Sequence, residues 1–304
     1  MAEAENENIY GLPPDELVGP YPDAKQFSPL VPGALDLAEA APGSLNGLTM
    51  LAPPGTLERR YALAQALRAL APRAKLVALA PKDKGGSRIA GDLKRLGCVF
   101  EETARRHHRL CVAIGPGEAQ AIADALAEGG PRLVAGLGLW SQPGAFSWDR
   151  VDPGSALLLA HLPALSGTGA DFGCGVGVLA RAALSAPGVT GLTLVDVDRR
   201  AVAMARRNVV DPRAAFAWAD VGKEPVPSDL DFVVMNPPFH EGGIENQALG
   251  QSFIARAALA LRSGGALWLV ANRHLPYEAI LKPHFRRVGM VAEAGGYKVC
   301  RALK

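Results

Sequence analysis

Short apolar runs and helix-patterned stretches take turns twice along this chain, and no other feature restricts its fold as much. In the first half, residues 48–51 form an apolar run closed by Pro53-Pro54-Gly55. A stretch with Leu57, Ala62, Leu63, Ala66, Leu67 and Leu70 on or near one face then reads as a helix. Residues 75–80 (KLVALA) read as a buried strand, 81–86 as a loop, 89–96 as a helix, 111–114 as a strand and 119–126 as a helix. In the second half, strands are expected to end at 170–172 and to cover 192–195, 215–219, 232–235, 266–271 and 297–302. Helices are expected over 155–165, 178–184, 201–208 and 251–261, with Ser155 and Asp198 as N-caps. Such alternation implies parallel βαβ units, so the fold class is α/β. Residues 141–154 (SQPGAFSWDRVDPG) are rich in Pro, Gly and Ser and read as the junction between domains at 1–145 and 146–304.

The 304 residues suffice for two such domains, and two α/β halves in one chain suggest an ancient duplication. Apolar residues at 49% and charged residues at 20% describe an ordinary globular protein. A net charge of +2 is too mild to argue by itself for a nucleic-acid partner. No two of Cys98, Cys111, Cys174 and Cys300 are spaced as CxxC, so neither a metal site nor a disulfide framework is expected. The opening MAEAENENIY has no basic n-region and no apolar h-region, and no uninterrupted apolar run reaches about 18 residues. The expected compartment is therefore the cytoplasm, with no membrane partner.

The segment Asp171-Phe172-Gly173-Cys174-Gly175-Val176-Gly177 joins a strand to a helix. Its glycines permit a tight turn and a close ligand approach to the main chain. Asp196, in the run LVDVD, lies 23 residues past Gly173, where a carboxylate at the sheet edge accepts hydrogen bonds from ribose hydroxyls. A dinucleotide requires G-x-G-x-x-G with pyrophosphate at the helix N-terminus. Here the spacing is G-x-G-x-G behind Asp171, an acid that repels pyrophosphate and attracts a cation. S-adenosylmethionine carries an ammonium and a sulfonium and fits; a bare tight turn is the alternative. Asp220, in FAWAD, is expected to bind an adenine amino group with Ala219 lining the base, or to cap a turn; Trp218 is expected in the core. The expected cofactor-binding set is Asp171, Gly173, Cys174, Gly175, Gly177, Asp196, Val197, Ala219, Asp220 and Asn236.

Asn236-Pro237-Pro238-Phe239 follows the strand DFVVM directly. Two prolines end a strand abruptly, leaving the next residues at the carboxyl edge of the sheet. An amine on a planar ring is a poor nucleophile because its lone pair is delocalised. The Asn236 side-chain carbonyl and the Pro237 main-chain carbonyl can each accept one amino hydrogen, favouring the pyramidal geometry of the transition state. Phe239 can stack on the ring. The expected catalytic set is thus Asn236, Pro237, Pro238 and Phe239. His240, Asn272 and Tyr277 (the last two in VANRHLPY) are candidates for substrate contact, with loop or strand-end roles as the alternative. A proline-rich turn with Phe239 in the core is the alternative for the tetrapeptide.

DFGCGVG, LVDVD, NPPFH and VANRHLPY, in that order, resemble the methyltransferase small-domain enzymes that modify guanine N2 in ribosomal RNA, in particular the bacterial 16S rRNA (guanine-N2)-methyltransferases. The likeness runs from about residue 145 to the C-terminus, and PKDKGG and RRHHRLC resemble that family's first domain. It implies two Rossmann-like methyltransferase domains in tandem, the first degenerate: where the second half has DFGCGVG, the first has LAPPGT. It also implies S-adenosylmethionine as cofactor, no metal, and ribosomal RNA or the small ribosomal subunit as partner. Arg105, Arg106 and Arg109, beside His107 and His108, are candidate phosphate contacts or a solvated basic turn. Three alternatives stand beside this: methylation of a protein glutamine amide or other planar amine, a nicotinamide oxidoreductase, and a non-catalytic RNA-binding protein.

Overall fold

The computed structural model describes residues 8–238, 240–241, 244–245 and 247–304, and the chain divides into two compact units at Pro131/Arg132. The first unit contains β1 (Asn8–Tyr10), α1 (Asp15–Val18), β2 (Lys25–Phe27), β3 (Leu45–Leu51), α2 (Thr56–Ala69), β4 (Leu70–Pro81), α3 (Ser87–Arg95), β5 (Phe100–Arg105), β6 (His108–Ile114) and α4 (Ala119–Gly129). Its sheet runs β2-β1-β3-β4-β6-β5, parallel from β2 to β4 and antiparallel across β4-β6-β5. Residues 82–86, read as a loop from sequence, turn into α3 through non-helical backbone at Lys84 and Gly85.

The second unit contains β7 (Arg132–Val134), β8 (Leu139–Ser141), α5 (Pro153–His161), β9 (Gly167–Phe172), α6 (Val178–Leu184), β10 (Val189–Asp196), α7 (Arg199–Asn208), β11 (Ala214–Trp218), β12 (Leu230–Met235), β13 (His240–Glu241), β14 (Ile244–Glu245), α8 (Gln247–Ala260), β15 (Leu261–Asn272), α9 (Tyr277–Leu281), β16 (Arg287–Ala294) and β17 (Tyr297–Leu303). Its sheet runs β11-β10-β9-β12-β15-β17-β16, parallel as far as β15 and antiparallel beyond. The expected junction at 145/146 falls inside this unit for a local reason. The β7–β8 hairpin is tied to α7, where Asn208 accepts from the Trp140 N–H at 2.7 Å and donates to the Trp140 carbonyl at 2.8 Å.

Both sheets follow one plan. β9, β10, β12, β15, β16 and β17 take the places that β1, β2, β3, β4, β5 and β6 take in the first sheet, with the same sense at every pairing. The chain is thus two Rossmann-like α/β units in tandem. This plan corrects one sequence correspondence. The counterpart of the loop after β9 is Gly11-Leu12-Pro13-Pro14 after β1, whereas Ala52-Pro53-Pro54, after β3, is the counterpart of Asn236-Pro237-Pro238, after β12.

Central strands such as DFVVM and ALWLVA read as unbroken apolar runs because helices cover both faces of the sheet. One core lies under α8 and α9 (Ile254, Ala257, Leu281), and another under α5, α6 and α7 (Leu158, Leu179, Ala205). Asp198 caps α7 as expected, its carboxylate accepting from Arg200 N at 2.9 Å. The cap of α5 is Asp152 rather than Ser155. Pro153 at the first helical position fixes the helix start, and the Asp152 carboxylate accepts from Ser155 N at 2.8 Å. The helix ends at His161, short of the expected 165. No described helix is long and apolar enough to cross a membrane.

Candidate active site

The carboxyl ends of β9, β10, β11 and β12 lie side by side, because Met235 pairs with Phe172, Val195 with Phe172 and Asp196 with Trp218. The loops that follow them therefore share one edge. Gly173, Gly175 and Gly177 all have positive φ, at 74°, 53° and 91°, which is why the turn is built from glycine. The Gly173 and Cys174 N–H groups both donate to Val195 O, at 2.9 and 3.1 Å, folding the turn over the end of β10. A methyl group built on Gly175 would meet nothing within 4 Å, so the backbone there is open to a ligand. One built on Gly173 would lie 3.9 Å from the Asn236 main-chain oxygen, so the glycine loop and the Asn-Pro-Pro turn adjoin.

Asp196 stands at this edge, half-buried. One oxygen accepts from Gly175 N and the other from Asp198 N, both at 2.8 Å. Burial pushes its carboxyl up to about 6, against the pull of those backbone donors. Asp171 is fully buried within β9, and neither carboxylate oxygen has a hydrogen-bond partner among the described residues. Burial, with the Asp196 charge added, pushes it up to about 8. The pull of the Ala180 N–H is too weak to offset this, and so poorly satisfied a buried acid is costly unless a cation or donor arrives. An ammonium-bearing ligand in the glycine cradle meets that need, so these residues fit S-adenosylmethionine.

The other expected cofactor positions divide. Ala219 donates through its N–H to Asp196 O at 3.0 Å and is nearly covered. Asp220 accepts from Gly222 N at 2.9 Å and pairs with Lys223 at 3.1 Å, so it shapes the turn beside the edge. Val197 is 37% exposed, open to a ligand. Cys174 turns its thiol into the core, where burial raises its pKa strongly, so only its backbone belongs to the cradle. Trp218, expected in the core, is half-buried on edge strand β11. Its indole donates to Val197 O at 2.8 Å, and Arg199 stacks on the ring at 4.9 Å.

Asn236 is half-buried, Pro237 buried and Pro238 exposed; Phe239 lies outside the described residues. The Asn236 amide nitrogen donates to the Asp152 carboxylate at 2.8 Å and to the Ser155 hydroxyl at 2.9 Å. Sequence reasoning did not single out Asp152 and gave Ser155 only a capping role. The available signal was an aspartate before Pro153 with a serine three residues on, the mark of a helix start.

His240 pairs through its backbone with Glu245, and its side chain lies outside the described residues. Asn272 ends β15 on the same edge, its main-chain oxygen accepting from Leu275 N at 3.1 Å. Tyr277 follows at the start of α9. It is 1% exposed in the core under α8, where a side chain at Gly250 would collide with its hydroxyl. Arg105, Arg106 and Arg109 belong to the first unit, at the tip of the β5–β6 hairpin. Arg106 pairs with Glu16 at 3.4 Å and Arg109 with Glu102 at 3.5 Å, all with substantial exposure. Because His108 pairs with Pro81, that tip lies at the carboxyl edge of the first unit's parallel strands.

Residues 136–301 match the methyltransferase small domain family. The ribosomal RNA small subunit methyltransferase C of Stutzerimonas stutzeri is 32% identical over 97% of this chain and 94% of its own length. That of Ectopseudomonas mendocina is 33% identical over the same shares. A solved structure of the T. thermophilus 16S rRNA guanine-N2 methyltransferase, in complex with AdoMet and guanosine, superposes with a TM-score of 0.73 at 28% identity. It covers 88% of this chain and 75% of that one. The chain belongs to the methyltransferase small domain family and, within it, to the ribosomal RNA small subunit methyltransferase C group.

Proposed function

We propose that this protein methylates the exocyclic N2 amine of a guanine in 16S ribosomal RNA, using S-adenosylmethionine held by the glycine loop and the amine held by Asn236 and Pro237. The adjacency of the Gly173 turn and the Asn236 main chain carries this reading, since donor and acceptor must meet within one pocket. When bound, the cofactor supplies an electrophilic methyl group on a sulfonium. Asp171 would lie nearest its cationic part, Asp196 would accept from its ribose hydroxyls, and Ala219 and Val197 would line its base, with Asp220 near the base amine.

The Asn236 side-chain carbonyl accepts one amino hydrogen and the Pro237 main-chain carbonyl the other. Both hydrogen bonds strengthen as positive charge develops on nitrogen, so they act on the transition state more than on the ground state. Holding the amine beside the bound cofactor would supply much of the remaining rate. The nitrogen proton, acidic once the methyl is in place, leaves to water, so no strong base is required. Phe239 stacks on the guanine, and His240 and Asn272 border it. The base must be unpaired or flipped out, because N2 is engaged in a duplex. The names of the relatives and the guanosine in the T. thermophilus complex support guanine in ribosomal RNA as the target.

Arg105, Arg106 and Arg109 of the first unit neutralise RNA phosphates, and the enzyme works in the cytoplasm. Labelled methyl transfer to whole 30S subunits, free 16S RNA and a release-factor protein tests the substrate. Label in RNA guanine is expected; label in the protein amide alone would overturn the reading. Calorimetry should show binding of S-adenosylmethionine and none of NAD.

A further inference from the structure

We infer that Asp152 and Ser155 are positioning residues that fix the Asn236 amide so that its carbonyl, and not its NH2, meets the substrate amine; this rests on the function proposed above. An asparagine side chain is nearly symmetrical in shape and opposite in chemistry at its two ends. Turned over, it would present donors to an amine that itself donates. What decides its direction is the neighbour at the far end. An ionised carboxylate only accepts, so Asp152 admits the Asn236 NH2 and rejects its carbonyl. The contact is 2.8 Å, and the Ser155 hydroxyl takes the second amide hydrogen at 2.9 Å, leaving the NH2 with both hydrogens placed.

The holder is itself held. The Asp152 oxygen that accepts from Asn236 also accepts from Ser155 N at 2.8 Å, as the cap of α5. The helix start behind it is packed closely: a side chain at Gly154 would come within 2.8 Å of the Tyr297 ring, and the Asp152 charge, added to burial, raises the Tyr297 pKa. The same contact has an electronic effect. A negative charge on the NH2 side polarises the amide and makes its carbonyl a stronger acceptor, which helps as the substrate nitrogen becomes positive.

A purely structural role as helix cap predicts different results, which a substitution series separates. Asp152→Ser keeps a good cap and is too short to reach Asn236. Ser155→Ala leaves the cap's backbone bond in place. Asp152→Asn keeps an acceptor of the same shape and removes the charge. The expected outcome is a kcat loss of about 10- to 100-fold for Asp152→Ser, with Asp152→Asn and Ser155→Ala between it and the parent protein. The affinity for S-adenosylmethionine by calorimetry and the melting temperature should stay close to the parent values.

Single-turnover labelled transfer in an Asn236→Ala background should show the Asp152→Ser loss shrinking to under about 2-fold, because the two residues act as a unit. The Asn236 side-chain NH2 signal in 15N NMR, assigned by its absence in Asn236→Ala, should move in all three variants. An unmoved signal, an unchanged kcat for Asp152→Ser, or a loss that persists in full in the Asn236→Ala background would overturn the inference. Normal turnover by Asn236→Ala alone would instead overturn the underlying reading of the function.

Discussion

The two units build the same sheet and differ in what stands at its carboxyl edge. After β12 the chain reads Asn236-Pro237-Pro238; after β3 it reads Ala52-Pro53-Pro54, with Ala52 buried. The proline pair persists in both because ending a central strand is a structural task. The asparagine, a matter of chemistry, occurs in only one. The carbonyls of the first turn have an internal partner: the buried Arg59 of α2 donates to Pro53 O at 3.4 Å and Pro54 O at 2.8 Å, and pairs with Asp92 at 2.7 Å. Among the described residues the first unit has no counterpart of α7 and β11, so the wall that carries Ala219 and Asp220 is missing there. Its first loop leads into a helix of only four residues, α1, without the glycine spacing of the loop after β9. The shared framework does not depend on these loops, because its core lies in the strands and helices.

This contrast can be broken at several points. The largest effect is expected at Arg59. Arg59→Ala removes the buried one of two arginines paired with Asp92, leaves Asp92 to Arg60 alone at 2.7 Å and leaves the Pro53 and Pro54 carbonyls facing a cavity, at a cost of about 3–5 kcal/mol of stability. Denaturant unfolding reads the loss, and methyl transfer per folded molecule should be unchanged; reduced transfer at full stability would mean that the first turn still works. Next comes the exchange of the two turns. Asn236→Ala should lower kcat about 10²- to 10³-fold with cofactor affinity kept, whereas Ala52→Asn should leave kcat within about 2-fold. Equal effects on steady-state rates would abolish the distinction drawn here.

Asp171→Asn should weaken S-adenosylmethionine at least about 10-fold in calorimetry and yet stabilise the ligand-free protein. The folded carboxyl titrates at about 8, above the ordinary 3.8. The folded chain therefore holds a proton that the unfolded chain has lost, and stability falls as pH rises through roughly 4 to 8. The gain in melting temperature should accordingly be several degrees at pH 8 and much smaller at pH 5; the opposite order would remove Asp171 from the account. In the parent protein, cofactor affinity should rise with pH until Asp171 is ionised and then level off. The smallest effect is expected from Arg105→Glu, Arg106→Glu and Arg109→Glu together. RNA affinity should fall and its log–log salt slope flatten by about 2, as a fluorescence titration over salt would show.

The alternation of elements, the glycine turn, the two acids and the Asn-Pro-Pro stop are legible in the sequence residue by residue, because each is a local requirement: periodicity, positive φ, strand termination. It did not show β5 or β16, which are exposed edge strands (FEETAR, RVGMVAEA) with little apolar pattern. It understated β9, whose Gly167–Gly169 opening pairs with β10 as strand and needs glycine at 169 because the Phe232 ring of the neighbouring strand occupies the space beside it. Nor did it pair LAPPGT with NPPF, since that match depends on which strands are neighbours. Folding alone brings Asp152 and Ser155, 84 and 81 residues before Asn236, to its amide, and places Tyr277 in the core. Contacts of that kind depend on where strands and helices pack in three dimensions, and residue spacing along the chain carries no record of it.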